Sequence, residues 1–378
     1  MSSIPRVLEL EPLLKSRSVL LLGPRQTGKS WLLREQLPEA KRFNLLQSDL
    51  FLSLSASPKL LRDSVQKGDV VVIDEVQRIP ELLNEVHYLI EELGVRFVLS
   101  GSSARRLRRG GVNLLGGRAR TIGFHPLSAI ELGERFSLDN ALHRGLLPPM
   151  VLNEDYQSRL SSYVDDYLQQ EIMAEGAARN IPAFARFLTT AALCNAQLIN
   201  FSNIANDAQV SLTTVREYFA VLEDSLVARK LEVWRESKKR KATSTAKFYF
   251  FDTGVVRHLQ GRSNIARNIA EFGFALETYL HHELCCFSDY HSAEKLSFWR
   301  ATNGMEVDFI LGNRIAIEVK ATAKVSDKML TGLRALREEK RIKHFLLLSF
   351  EPMARKVDGI EIVPVGEFVH RLWRGDWA

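Results

Sequence analysis

Cysteine is scarce in this 378-residue chain, and Cys194, Cys285 and Cys286 form neither a CxxC pair nor a His-linked metal spacing. A disulfide framework is thereby excluded, and the three thiols read as reduced groups. No run approaches ~18 uninterrupted apolar residues, so nothing in the chain is suited to span a membrane. The opening Met-Ser-Ser-Ile-Pro-Arg lacks the apolar core of a signal peptide, which makes a cytoplasmic protein the expectation. Internal repeats and low-complexity segments are missing too. What is present is ordinary for a globular protein: 46% hydrophobic and 25% charged residues, in a length that suits two or three domains. Lys and Arg total 51 against 45 Asp and Glu, a net charge of +6. That excess permits an acidic partner such as nucleic acid without requiring one.

Residues 18–124 alternate short apolar runs at 19–22, 70–73 and 97–99 with helical spacing over 31–37 and 81–93. Such alternation predicts an α/β unit with a parallel sheet covered on both faces. Beyond about residue 126 the pattern turns mainly helical, over 156–178, 184–192 and 211–225. Strand-like pieces follow at 228–233 and 247–251, and the last third returns to mixed α/β. There the spacing predicts a helix over 271–286, strands near 296–300, 305–311 and 315–320, a helix over 326–339 and a strand at 344–349.

The chemistry begins at Gly23-Pro24-Arg25-Gln26-Thr27-Gly28-Lys29-Ser30, a complete GxxxxGK[ST] motif that follows a strand and opens a helix at Trp31. A glycine-rich turn aims successive backbone N–H groups at phosphates, and the helix N-terminus adds partial positive charge. Lys29 is expected to reach the β and γ phosphates of ATP, and Ser30 to place its hydroxyl on Mg²⁺. The second half is Asp69-Val-Val-Val-Ile-Asp-Glu75, a buried strand with Asp74 at its C-terminal edge. Asp74 is expected to hold Mg²⁺, largely through water, and Glu75 to deprotonate the attacking water. The blander alternative is an N-capping acidic pair before the next helix.

A further strand ends in Ser100-Gly-Ser102, where either hydroxyl suits a sensor of the γ-phosphate or of the attacking water. Arg105, Arg106, Arg108, Arg109, Arg118 and Arg120 then place six arginines within sixteen residues. They read as a solvated face, a phosphate-contacting patch or an arginine finger for a neighbouring subunit. With Ile73-Asp-Glu-Val-Gln77, Ser100-Gly-Ser-Ser103, Gly117-Arg118 and Pro126-Leu-Ser128, the order of motifs resembles the AAA-type ATPases. It resembles in particular a large prokaryotic group of ATPases with a C-terminal domain of unknown function. The resemblance implies an ATP-driven homo-oligomeric ring, a hexamer by analogy.

The middle of the chain reads helix, turn, helix across 201–231, with Ser202 and Ser211 as N-caps and a core of Ile204, Val210, Val215, Phe219 and Leu222. The two strands that follow, linked by Lys238-Lys239-Arg240-Lys241, look like the wing of a winged helix. Arg216 is the one cation of the candidate recognition helix, beside Glu217, Glu223 and Asp224. Base reading is therefore not expected, and the alternatives are phosphate contact by the wing or a structural role.

Residues 305–320 alternate in two sets that share a core when 311 pairs with 315, 309 with 317 and 307 with 319. The register leaves the three-residue loop Gly312-Asn313-Arg314 and sets Asp308 opposite Glu318, with Lys320 on the same face. Two adjacent carboxylates repel unless something positive lies between them, and a divalent metal would serve. This resembles the PD-(D/E)XK nuclease superfamily, with Asp308 ending one strand and Glu318-Val319-Lys320 on the next. The resemblance implies a catalytic trio of Asp308, Glu318 and Lys320, and a second Mg²⁺ or a Mn²⁺ held by Glu277, Asp308 and Glu318. The competing reading pairs Glu306 with Lys320 and leaves the other carboxylates solvated.

The expectation is thus an α/β chain of three parts: a P-loop AAA-type ATPase domain (1–130), a helical and winged-helix module (131–260) and a PD-(D/E)XK nuclease-like domain (261–378). It would act on branched or ended DNA by structure rather than sequence, with a DNA-cutting site at its C-terminal end. The rival is an ATP-dependent switch or remodeller that keeps the nuclease-like fold as a docking surface.

Overall fold

The computed structural model describes residues 4–103, 107, 115–168, 180–236, 245–262, 266 and 270–378. Arg105, Arg106, Arg108, Arg109 and the 238–241 basic run lie outside the described residues, as does 169–178 of the expected 156–178 helix.

The first sheet has five parallel strands: β1 (Ser18–Leu22), β2 (Lys41–Asn44), β3 (Val70–Asp74), β4 (Arg96–Gly101) and β5 (Ala119–Gly123). Their order is β2-β3-β4-β1-β5. β1, β3 and β4 are the apolar runs seen in the sequence. β2 and β5 escaped notice because they are edge strands: Phe43 is the one buried residue of β2 and Ile122 of β5. A strand with one neighbour and one wet face needs little apolar sequence. Because β4 separates β1 from β3, the loop after β1, the end of β3 and the hydroxyls of β4 converge at one sheet edge.

The helical part packs helices Ile181–Leu193, Phe201–Ala208 and Leu212–Asp224 around Phe184, Phe187, Tyr218 and Phe219. Asn180, Asn200 and Ser211 accept the first-turn N–H groups. Asn200 thus takes the cap expected of Ser202, which lies inside its helix, and Gln209 makes the turn with φ +55°. Helix Tyr156–Ser161 runs into a wider π-type turn, Ser162–Leu168.

Strands β6 (Ala228–Val233) and β7 (Lys247–Phe250) pair antiparallel, as a wing would. β6 also pairs in parallel with β8 (Leu296–Arg300), which makes the pair one edge of the C-terminal sheet. The side chains explain this. Phe248 and Phe250 enter the helical core, whereas Tyr249 faces the core under helix Ala270–Phe287. A strand apolar on both faces is bound on both faces, so it cannot project as a free wing.

Eight strands form that sheet, in the order β12-β13-β11-β10-β9-β8-β6-β7. β9 (Glu306–Leu311) and β10 (Ile315–Val319) pair in the register derived above, Leu311 with Ile315 and Phe309 with Ile317. β11 (His344–Ser349) and β13 (Ile360–Pro364) continue in parallel, and the short β12 (Arg355–Val357) closes the edge. Helices Ala270–Phe287 and Val365–Arg374 cover one face, and Thr331–Arg337 the other.

Phe187 is fully buried among Phe184, Tyr218 and Phe219, with ring centroids 5.8, 5.1 and 5.1 Å away. Phe187→Ala should cost about 3–5 kcal/mol of unfolding free energy, read by chemical denaturation. An unchanged midpoint would mean that the helical core is not the unit described.

Candidate functional site

The loop between β1 and helix Lys29–Gln36 turns through Gln26 (φ +62°) and Gly28 (φ +96°). At Gly28 a side chain would be strained, which is why glycine stands there. Gly23 is required for another reason: a Cβ there would lie 2.1 Å from the Phe124 carbonyl oxygen. Lys29 Nζ donates to the Gly23 and Pro24 carbonyls at 2.6 and 2.9 Å, and Thr27 Oγ1 donates to Pro24 O at 2.8 Å. The loop's own carbonyls thus stabilise the buried ammonium. Arg25 and Gln26 lie on the open side of the loop, and the Trp31 indole packs against the apolar layer beneath β1.

Ser30 Oγ donates to Asp74 Oδ2 at 2.7 Å, and Ser100 Oγ donates to Asp74 Oδ1. Ser30 and Asp74 therefore sit together, and their all-oxygen donor set fits the hard cation Mg²⁺. Ser100 supports the carboxylate of Asp74 in this structure; it does not stand free for the nucleotide. Glu75 follows in a left-handed conformation, φ +62°, and is buried. Gln77 Nε2 donates to Glu75 Oε2 at 2.6 Å and to Ser102 Oγ at 3.0 Å. Arg25 Nη2 stands 4.0 Å from the same Glu75 oxygen. The clamp by Gln77 was not foreseen, although its place two residues after the acidic pair was the available signal.

Arg6 was also missed. Its guanidinium is buried and donates to Thr27 O (2.8 Å), His125 O (2.8 Å) and Glu131 Oε1 (2.9 Å). Glu131 closes a capping box with Ser128. Ala129 N–H donates to Glu283 Oε1 at 2.8 Å, on helix Ala270–Phe287. The Pro126-Leu-Ser128 motif is therefore where the first sheet docks on the C-terminal part. Of the arginines after β4, Arg118 pairs with Glu91, and Arg120 lines a groove with Arg229, Lys230 and Lys295.

In the C-terminal sheet Asp308, Glu318, Lys320 and Glu277 face one cluster, but its centre is a residue the sequence reading passed over. Lys247 opens β7 and is buried, with Nζ 3.5 Å from Asp308 Oδ1 and 3.7 Å from Glu277 Oε2; it also pairs with Glu306. Burial works against the Lys247 charge, yet Tyr249, Asp308, Glu277 and Glu306 outweigh it and hold the ammonium well above its usual range. Asp308 Oδ2 accepts the Val319 N–H at 2.9 Å. Glu318 pairs with Lys320 at 2.5 Å, and its other oxygen is buried without a partner. Burial first, then Asp308, pushes Glu277 up to about 8. Glu306 is shared by Lys247 and Arg300, which replaces the Glu306–Lys320 pairing weighed above.

Among the described residues, the group of three or more His, Cys, Asp or Glu with ligand atoms within 4.8 Å of one another is His125, His282 and Cys286. The proposed metal trio of Glu277, Asp308 and Glu318 does not converge to that degree. The His/Cys group joins the end of β5 to helix Ala270–Phe287, a contact that sequence spacing could not reveal. His125 Nε2 lies 2.6 Å from Asp289 Oδ2, and His282 Nε2 lies 3.0 Å from Leu127 O. Burial lowers His282 to about 3 and raises the Cys286 thiol well above its usual range.

Residues 15–133 match the family model described as AAA domain. Residues 135–266 and 272–368 match two models described as domains of unknown function, DUF8612 and DUF4143. An uncharacterized protein of Mycobacterium tuberculosis is 28% identical over 322 residues, 82% of this chain and 71% of that protein. An uncharacterized protein of Haemophilus influenzae is 22% identical over 331 residues, 81% of this chain and 78% of that protein. Among solved structures, the Aeropyrum pernix ORC1 protein in complex with DNA is 13% identical with a TM-score of 0.32, covering 68% of this chain and 94% of that one. The Thermotoga maritima RuvB Holliday junction branch migration motor is 17% identical with a TM-score of 0.29, covering 58% and 87%. Residues 15–133 thus combine a parallel sheet and a P-loop with the match to an AAA domain. No helix among the described residues is long and apolar enough to cross a membrane.

Glu283 offers a test of this docking surface. Burial raises its carboxyl from 4.5 to about 8. The folded protein then holds a proton that the unfolded chain has released, so stability falls as pH rises from about 4.5 to about 8. Glu283→Gln should remove that share of the slope, up to about 1.4 kcal/mol per pH unit, in denaturation measured between pH 5 and 8. Parallel curves for the two proteins would show that the carboxyl is ionised when folded.

Proposed function

We propose that this protein hydrolyses ATP at the P-loop site and uses the cycle to act on DNA, engaged through its backbone and structure rather than its base sequence. What carries the ATPase reading is the meeting of Ser30, Asp74, Glu75 and Lys29 at one sheet edge, with Gln77 clamping Glu75. Lys29 would exchange its two loop carbonyls for phosphate oxygens. Ser30 and Asp74 would hold Mg²⁺, which neutralises phosphate charge when bound. Glu75 orients the attacking water and receives its proton, and Gln77 keeps that carboxylate aimed. The DNA half rests on basic sequence, the runs at 105–120 and 238–241, and on the outward face of helix Leu212–Asp224, where Arg216 is the one cation. Assembly into a homo-oligomeric ring, a hexamer by analogy with AAA-type proteins, is supported by those same arginines as candidates to complete a neighbour's site.

Lys29→Ala should weaken ATP binding, whereas Glu75→Gln should bind ATP and turn over about 10²–10⁴-fold more slowly. Near-normal turnover in Glu75→Gln would remove Glu75 from the base role. ATPase rates measured without DNA and with single-stranded, duplex and four-way DNA test coupling and substrate together; equal rates in all four would refute the DNA half. If ~5 phosphates are neutralised on duplex arms, log K should fall against log salt with a slope near ~−4.5. Alanine at Lys238, Lys239, Arg240 and Lys241 together should flatten it.

Of the two readings of the C-terminal cluster, metal-dependent cleavage and docking, the Lys247 ammonium beside Glu277, Glu306 and Asp308 favours docking. Under that reading the purified protein does not cut DNA with Mg²⁺ or Mn²⁺. Cleavage that vanishes in Asp308→Ala, Glu318→Ala and Lys320→Ala would restore the nuclease.

A further inference from the structure

We infer that Lys247 is the resident cation of the C-terminal carboxylate cluster, standing where a nuclease of this sheet arrangement would need a divalent metal. The inference deepens the docking reading of the same cluster.

A buried ammonium is unfavourable unless several anionic or polar oxygens surround it, and a cluster of buried carboxylates is unfavourable without a cation. Here each requirement answers the other. Glu277 comes from helix Ala270–Phe287, Glu306 and Asp308 from β9, and all three turn toward one Nζ. Both oxygens of Asp308 are in use, one by Lys247 and one by the Val319 N–H. Both oxygens of Glu306 are in use as well, by Lys247 and Arg300. A metal ion would have to displace the ammonium to reach them.

The lysine is also held from behind. Its backbone pairs with Leu231 across β6–β7 and bridges to Leu198. Its neighbours in β7 alternate in direction, as strand geometry requires. Phe248 packs on Phe219 in the helical core at 4.6 Å, and Tyr249 stacks on His281 at 4.3 Å. The cation is therefore delivered by a strand shared with the helical module and anchored on both faces. Glu277 meets Lys247 and the Tyr249 hydroxyl through one oxygen, and Glu318 keeps a buried oxygen without a partner beside Lys320. Mg²⁺ and Mn²⁺ bind through several oxygens, and with both oxygens of Asp308 and of Glu306 engaged the cluster is a poor seat for either.

The test is Mn²⁺ titration of the full chain, followed by the electron paramagnetic resonance of the free ion. An Asp74→Asn background removes the P-loop site from the count. The parent should bind no Mn²⁺ in the C-terminal cluster. Lys247→Met, which deletes the charge but keeps most of the side-chain volume, should bind one equivalent. Removing a unit charge at ~4 Å justifies at least about a tenfold gain in affinity. That gain should disappear on adding Asp308→Asn. Lys247→Arg keeps the charge and should behave as the parent, so the contrast does not depend on one variant folding. Mn²⁺ bound by the parent and lost in Asp308→Asn would overturn the inference. So would Mn²⁺ binding by neither the parent nor a folded Lys247→Met protein. None of these outcomes bears on ATP hydrolysis or DNA affinity, which are measured separately.

Discussion

A lysine ammonium can be buried only where oxygens are brought to meet it, and for Lys247 those oxygens are carboxylates, a requirement that organises the C-terminal half of this molecule. Lys247 lies at the start of β7, Glu277 on helix Ala270–Phe287, and Glu306 and Asp308 on β9. Three elements distant in sequence are thereby tied to one atom. Because β7 also buries Phe248 and Phe250 in the helical module, the same strand couples that module to the C-terminal sheet. The middle and last parts of the chain consequently share their packing instead of meeting across a linker.

The first sheet is tied to this body by a second buried charge. Arg6 spans the P-loop carbonyl of Thr27, the carbonyl of His125 and the carboxylate of Glu131. Glu131 belongs to the short turn that passes a backbone N–H to Glu283 on helix Ala270–Phe287. That helix also carries Glu277, so one helix holds the turn after Ser128 through Glu283 and the lysine-filled cluster through Glu277.

At the sheet edge itself, the insertion of β4 between β1 and β3 divides the work. Asp74 is held by hydroxyls from the P-loop helix and β4, whereas Glu75 is held by an amide from the following turn. Two adjacent carboxylates thus have separate supports, Asp74 from two hydroxyls and Glu75 from an amide.

The sequence by itself determined the elements whose signal is local. The P-loop, the acidic pair and the β9–β10 register could all be read, because each depends on spacing within a few residues or on period-2 alternation that forces a face. Edge strands β2 and β5 were not legible, since a single buried residue in each leaves no pattern. That β6 also joins β8 was not legible, because a lone Lys before Phe-Tyr-Phe does not reveal that both faces of the strand are covered. Which cation sits among Glu277, Asp308 and Glu306, and that His125 meets His282 and Cys286, were decided only by tertiary structure. Side chains meet through space over a few ångströms, and residues from about 30 to about 160 positions apart come that close only once the chain has folded.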